Sequence, residues 1–122
     1  MNPLHVSFDY DSCLESNPAL QALAQTMRLQ GFRVYILTAR PDIVYRNQDL
    51  LATAQRLGIE RPHILYAFTS SKAELMREHG INWHFDNDPK EVLRIHAQGL
   101  HAGLTDLRRL SHLSVEPESS GD

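Results

Sequence analysis

Cysteine is nearly absent: Cys13 is the single one in 122 residues, so no disulfide can form within the chain. Long apolar runs are absent too, and none approaches the roughly 20 residues that a membrane helix needs. Neither sign of charge dominates. Twelve basic against 15 acidic residues give a formal net charge of −3 with the seven histidines neutral. That balance excludes a general basic surface for nucleic acid and leaves room only for a local basic pocket. The first residues, Met1-Asn2-Pro3-Leu4-His5, lack a basic start followed by an apolar stretch, so no signal peptide is expected. These absences point to a soluble, cytoplasmic protein. Lysine is scarce as well, with only Lys72 and Lys90.

What is present suffices for a core. Apolar residues make up 42% of the chain, and its length suits one domain. That domain is expected over residues 1–114. Residues 115–122, mostly Glu, Ser, Pro and Gly, read as a disordered acidic tail.

Strand and helix patterns alternate. Leu4 to Phe8 reads as a buried strand ending in acids. Asn17-Pro18 opens a helix, with Asn17 as cap, Pro18 in the first turn, and Leu20, Leu23, Ala24 and Met27 on one face. Gly31 stops it. Arg33 to Leu37 is the clearest strand, β-branched and aromatic. A second helix is expected after Pro41-Asp42, to about Leu57. A strand follows from Pro62 to Tyr66, then a helix capped by Ser70 or Ser71. A fourth strand is expected over Ile81 to Phe85, a helix from Pro89 to about Gln98, and a short strand from Leu100 to Leu104. Asp106 to Leu113 reads as a last helix or turn. Such alternation implies an α/β fold: a three-layer αβα sandwich around a mainly parallel, Rossmann-like sheet. Ligands of these sheets bind beyond the carboxyl ends of the strands.

The unusual polar residues stand at those ends. Asp9 and Asp11 follow strand one, Thr38 strand two, and Asp86 and Asp88 strand four, while Lys72 begins the helix after strand three. Carboxylates gathered together repel, and a divalent cation with a preference for hard oxygen relieves them; magnesium suits better than zinc. One carboxylate can attack phosphorus, a second can shuttle a proton, and a hydroxyl and an ammonium can hold phosphoryl oxygens.

In their order, Val6-Ser7-Phe8-Asp9-Tyr10-Asp11, Tyr35-Ile36-Leu37-Thr38, Lys72 and Phe85-Asp86-Asn87-Asp88 resemble the four motifs of the haloacid-dehalogenase-like phosphatase superfamily. The resemblance covers roughly Leu4 to Leu104. It implies a phosphomonoester hydrolase with Asp9 as nucleophile, forming an aspartyl-phosphate, and Asp11 as general acid and base. Thr38 and Lys72 would hold the phosphoryl group; apart from the resemblance, Arg40 stands two residues past Thr38, in place to contact a substrate phosphate. Asp9, the Asp11 carbonyl and Asp86 would bind Mg2+, with Asp88 in reserve. The chain has Ser12-Cys13 where the family usually has Gly-Thr or a similar pair, and Asn87 where a second adjacent acid often stands. No stretch is long enough for the cap domain that larger members insert. An open site then suits a large substrate or a homo-oligomer that supplies its own lid. The implied ligand is a phosphorylated small molecule or nucleotide, or a nucleic-acid phosphate end.

Bland readings stand beside these. Asp88 is a natural helix cap, His84 a packing residue beside the acids, and Cys13 has no arginine-bearing phosphate loop after it. A phosphoacceptor receiver domain uses similar groups, but in another order, since no Asp follows the Pro62-to-Tyr66 strand. A protein that binds a nucleotide or phosphorylated signal without turning it over remains the main alternative.

Overall fold

Residue alternation decides which side of the sheet each strand buries. The computed structural model describes residues 2–105; the expected helix or turn at Asp106 to Leu113 and the tail at 115–122 lie outside them. Five strands run as β1 (His5–Phe8), β2 (Arg33–Thr38), β3 (Ile64–Tyr66), β4 (Trp83–Asp86) and β5 (Ala102–Leu104). Four helices join them: α1 (Pro18–Leu29), α2 (Gln48–Leu57), α3 (Lys72–His79) and α4 (Pro89–Ala97). Every pairing is parallel, in the order β3-β2-β1-β4-β5.

Register partners share a face. Val6, Phe8, Val34, Ile36 and Ile64 pack on Leu20 and Ala24 of α1 and on Leu50, Ala54 and Leu57 of α2. The opposite face carries Tyr35, Leu37, Leu65 and Ala102, packed on Met76 of α3 and Ile95 of α4. This is a three-layer, Rossmann-like α/β fold. The chain builds outward from β1 through β2 to β3, then returns to place β4 on β1's other side. The gap between the ends of β1 and β4 is therefore the switch point where such sheets take ligands.

On the α3/α4 face, β1 and β4 break the apolar rule. Ser7 pairs with His84 in register, and both are fully buried. Asp9 and Asp86 continue the same alternation. A buried polar stripe thus runs along these two strands toward the switch point.

Several boundaries differ from the sequence expectation. The expected second helix begins instead as a 3-10 turn, Val44–Arg46, before α2. Asn47 interrupts it: its buried side chain donates to the Pro41 carbonyl at 2.9 Å, which commits it to the loop. Arg61–His63 is a 3-10 turn led by Pro62, so β3 starts two residues later than expected. Ile81 is still closing the end of α3, its N–H donating to the Met76 carbonyl at 2.8 Å, so β4 starts at Trp83. Leu100 closes α4 in the same way through the Ile95 carbonyl, which shortens β5. In α1, Leu23 is 38% exposed rather than part of the core, whereas Leu29 lies off the buried face as expected.

Gly103 on β5 leaves room for Trp83 of β4. A Cβ there would stand 2.6 Å from the indole Cζ2. Gly103→Ala should therefore destabilise the protein by about 1–3 kcal/mol. Urea unfolding in the Trp83→Ala background should show most of that cost gone; an equal cost in both backgrounds would refute the contact as its cause.

Candidate functional site

The loop after β1 shapes the site first. The Asp9 N–H donates to the Phe85 carbonyl at 2.9 Å, extending the strand pairing to the acid itself. The Asp9 and Tyr10 carbonyls then accept from Leu14, Cys13 and Glu15 in a tight turn. The turn needs a left-handed residue, and Ser12 supplies it at φ 55, the one positive φ outside glycine among the described residues. Its N–H is held by the Glu15 carboxylate at 3.1 Å. The backbone that a glycine would adopt freely is thus adopted by serine here, at a cost of about 1–2 kcal/mol.

Lys72 is placed by a capping box. Ser71 Oγ accepts from the Glu74 N–H, and Glu74 accepts from the Ser71 N–H. Lys72 is the first residue of α3, where a helix end favours anions over cations. Its position makes sense through its partners instead. Lys72 Nζ donates to Asp9 Oδ1 and Asp86 Oδ2, both at 2.8 Å. All three residues are buried. The ammonium therefore bridges β1 and β4 across the switch point.

Asp86 has further donors. His84 Nε2 lies 2.8 Å from Asp86 Oδ2, and the Asp88 N–H donates to Oδ1 at 2.9 Å. Burial alone would raise the Asp86 pKa, but the His84 hydrogen bond and the Lys72 charge outweigh it and hold it at about 2. Asp9 goes the other way. Burial pushes its carboxyl up to about 6, with Lys72 only partly offsetting this and the Asp86 charge adding to it. Lys72 is held above its ordinary pKa: burial works against the charge, but Asp86 and Asp9 outweigh burial. Two neighbouring carboxylates thus have opposite proton affinities, the pattern of groups given different tasks.

Asp11 does not join them. Its half-exposed carboxylate takes Arg40 Nε at 3.0 Å and Arg40 Nη2 at 2.7 Å. The other edge of Arg40 is held by Asp49 at 2.9 and 3.0 Å, and its guanidinium lies 5.0 Å from the Tyr10 ring centroid. Arg40 is thus engaged on both edges. Asn47 Oδ1 also accepts from it at 3.3 Å. Thr38 is fully buried, and its Oγ1 accepts from the Arg40 N–H at 3.2 Å. Among the described residues its own hydroxyl proton has no acceptor. Asp88 caps α4 through the Lys90 N–H at 3.0 Å. Cys13 is buried, and burial pushes its thiol up to about 12, far from a reactive thiolate.

The structure therefore brings Asp9, Lys72 and Asp86 into direct contact and groups Asp11 with Arg40 beside them. Sequence reasoning gave His84 little weight and passed over Ser7, Asn47 and Asp49. For Ser7 and His84 the signal was available: two polar residues two positions before the acids, in strands otherwise apolar.

Among the described residues no group of three or more His, Cys, Asp and Glu side chains is arranged to hold a metal ion. The oxygen chemistry nonetheless fits magnesium, which takes one or two carboxylates and fills its shell with water and phosphate. Asp9 Oδ2 and the Asp11 carbonyl accept no hydrogen bond among the described residues, and Asp86 Oδ1 takes one, from Asp88. The clefts lie elsewhere. One of about 660 Å³ follows α2 and the start of β3; another of about 310 Å³ adjoins it at Gly58 and Glu60, beside Arg33 and His63. The site is a filled ion-pair network at an open edge, so cleft size does not mark it.

No family model matches the chain, and no curated protein matches it. No helix among the described residues is long and apolar enough to cross a membrane.

Two outcomes follow from the charges. Lys72→Met leaves two buried carboxylates unpaired and should cost about 3–5 kcal/mol in denaturant unfolding; an unchanged midpoint would contradict the bridge. Asp9, at about 6 folded against 3.8 ordinarily, binds its proton more tightly when folded. Its contribution is thus present below the ordinary value and lost as pH rises through the folded one. Asp9→Asn should raise the melting temperature over wild type near pH 8, and the gain should shrink toward pH 4. A gain that grows toward low pH would reverse the assignment.

Proposed function

We propose that the protein is a capless phosphomonoester hydrolase of the haloacid-dehalogenase-like kind, dependent on magnesium. The observation that carries this reading is the Lys72 ammonium, 2.8 Å from both Asp9 and Asp86 at the switch point. It stands where a phosphoryl group entering beside Asp9 would meet a fixed positive charge.

Asp9 Oδ2 is the attacking oxygen, since Oδ1 is committed to Lys72. With its carboxyl at about 6, Asp9 is mostly ionised at neutral pH. Attack forms an Asp9–phosphorus bond and breaks the ester bond, and Asp11 gives its proton to the departing alcohol oxygen. Water then attacks the phosphorus, Asp11 takes the water proton, and phosphate leaves with Asp9 restored. The Thr38 hydroxyl and Lys72 hold phosphoryl oxygens. Arg40 holds Asp11 as a carboxylate, which suits the second step; the first requires that pair to open and Asp11 to take a proton from solvent, and the freed guanidinium edge then has the substrate phosphate to bind. Magnesium, held by Asp9, the Asp11 carbonyl and Asp86, would neutralise phosphate charge when bound. The open edge favours a phosphorylated small molecule or nucleotide, or a nucleic-acid phosphate end.

Purified protein with magnesium should release phosphate from an aryl phosphate, with nucleotides, sugar phosphates and phosphorylated oligonucleotides as the wider panel. Asp9→Asn should abolish release and chelation should suppress it. If none of the panel is hydrolysed while a ligand still raises the melting temperature, the site binds without turnover and the hydrolase reading fails.

A further inference from the structure

Asp86 has a neighbour that the proposed reaction does not use. His84 Nε2 meets its Oδ2 at 2.8 Å, and His84 Nδ1 meets Ser7 Oγ at 2.7 Å. His84 and Ser7 are fully buried and Asp86 is 1% exposed. Ser7 sits between Val6 and Phe8 in the central strand, where an apolar residue would pack at no polar cost.

The hydrogen-bond directions can be worked out. An ionised carboxylate only accepts, so Nε2 must carry a proton and donate. The other ring nitrogen, Nδ1, is then left to the Ser7 hydroxyl at 2.7 Å. Ser7 is too buried to meet substrate, which excludes the superficially similar serine nucleophile.

We propose that Ser7 and His84 are positioning residues: a buried hydrogen-bonded relay, from Ser7 Oγ through His84 Nδ1 and His84 Nε2–H to Asp86 Oδ2, that fixes the rotation of the Asp86 carboxylate. Oδ2 is then committed to His84 and Lys72. Oδ1, steadied by the Asp88 N–H, keeps a free lone pair for a cation. Without the relay the terminal torsion of Asp86, which is intrinsically soft, is held only by Lys72 and the Asp88 N–H. Donors behind a ligating group commonly change metal affinity roughly ten- to hundred-fold. The inference rests on the magnesium reading only for what the fixed carboxylate does.

Two readouts separate the relay from that reading. In a ring-nitrogen NMR spectrum of the metal-free protein near neutral pH, His84 should carry a proton on Nε2; its signals are assigned by their loss in His84→Gln. A bare Nε2, with the ring proton on Nδ1 alone, overturns the relay. Calorimetric titration with magnesium alone gives the second. His84→Phe should weaken binding roughly ten-fold or more, and His84→Gln, whose amide can donate from near the Nε2 position, should recover most of it. Ser7→Ala removes one hydroxyl and should weaken binding several-fold, which keeps the test decisive if His84→Phe does not fold. Wild-type affinity in Ser7→Ala, or no recovery in a folded His84→Gln, overturns the positioning role. If the wild-type protein binds no magnesium, the metal reading falls, and the NMR spectrum alone decides the relay.

Discussion

The structure turns on one buried cation. Lys72 is the ammonium group between two carboxylates that burial would otherwise drive toward protonation or apart. Desolvation of an ion pair is costly, and its mutual attraction compensates only when hydrogen bonds satisfy what remains. Here they do so for Asp86, with donors from Lys72, His84 and the Asp88 amide. Asp9 is left with one oxygen bound and one unbound. This inequality sets the two acids apart: one is held on both oxygens and the other on one. The capping box at Ser71 and the strand-like Asp9–Phe85 bond bring the partners to that geometry.

A second charge cluster stands beside the first and behaves differently. Asp11, Arg40 and Asp49 are partly exposed, so their pairing is screened and individually weak. Arg40 nevertheless ties three segments together: the turn after β1, the loop after β2 and the first turn of α2. Buried Asn47 braces that loop from within. Burial fixes the tight cluster, and exposure leaves the loose one open to solvent.

Much of this was legible in the sequence. Strand–helix alternation predicted the α/β sheet because short β-branched runs and glycine stops are local signals. Asp9, Lys72 and Asp86 were recognisable because each stands at a strand end or helix start, and topology gathers such ends. Caps were readable too, at Asn17 and Asp88. What was not legible depends on long-range partners. The break at Asn47 arises from a side chain bonded to Pro41 and Arg40, which no periodicity reveals. Arg40 read as a substrate contact because its two carboxylates lie 29 and 9 residues away. His84 read as a packing residue because its role requires Ser7 on another strand.

The polar stripe of β1 and β4 also bears on how the chain acquires its native form. Ser7 and His84 are 77 residues apart, and Lys72 and Asp9 63. During synthesis β1 emerges with its acid uncompensated, and β2 and β3 can pair beside it well before β4 exists. The entropy of closing so long a loop is met only when β4 docks. The cradle for Asp9 is thus finished by the second half of the chain. A fragment ending before β4 would lack two strands, β4 and β5, and half of the sheet's polar seam, and would expose a buried serine along its open edge. Completion of the Lys72 ion-pair network and completion of the fold are one event.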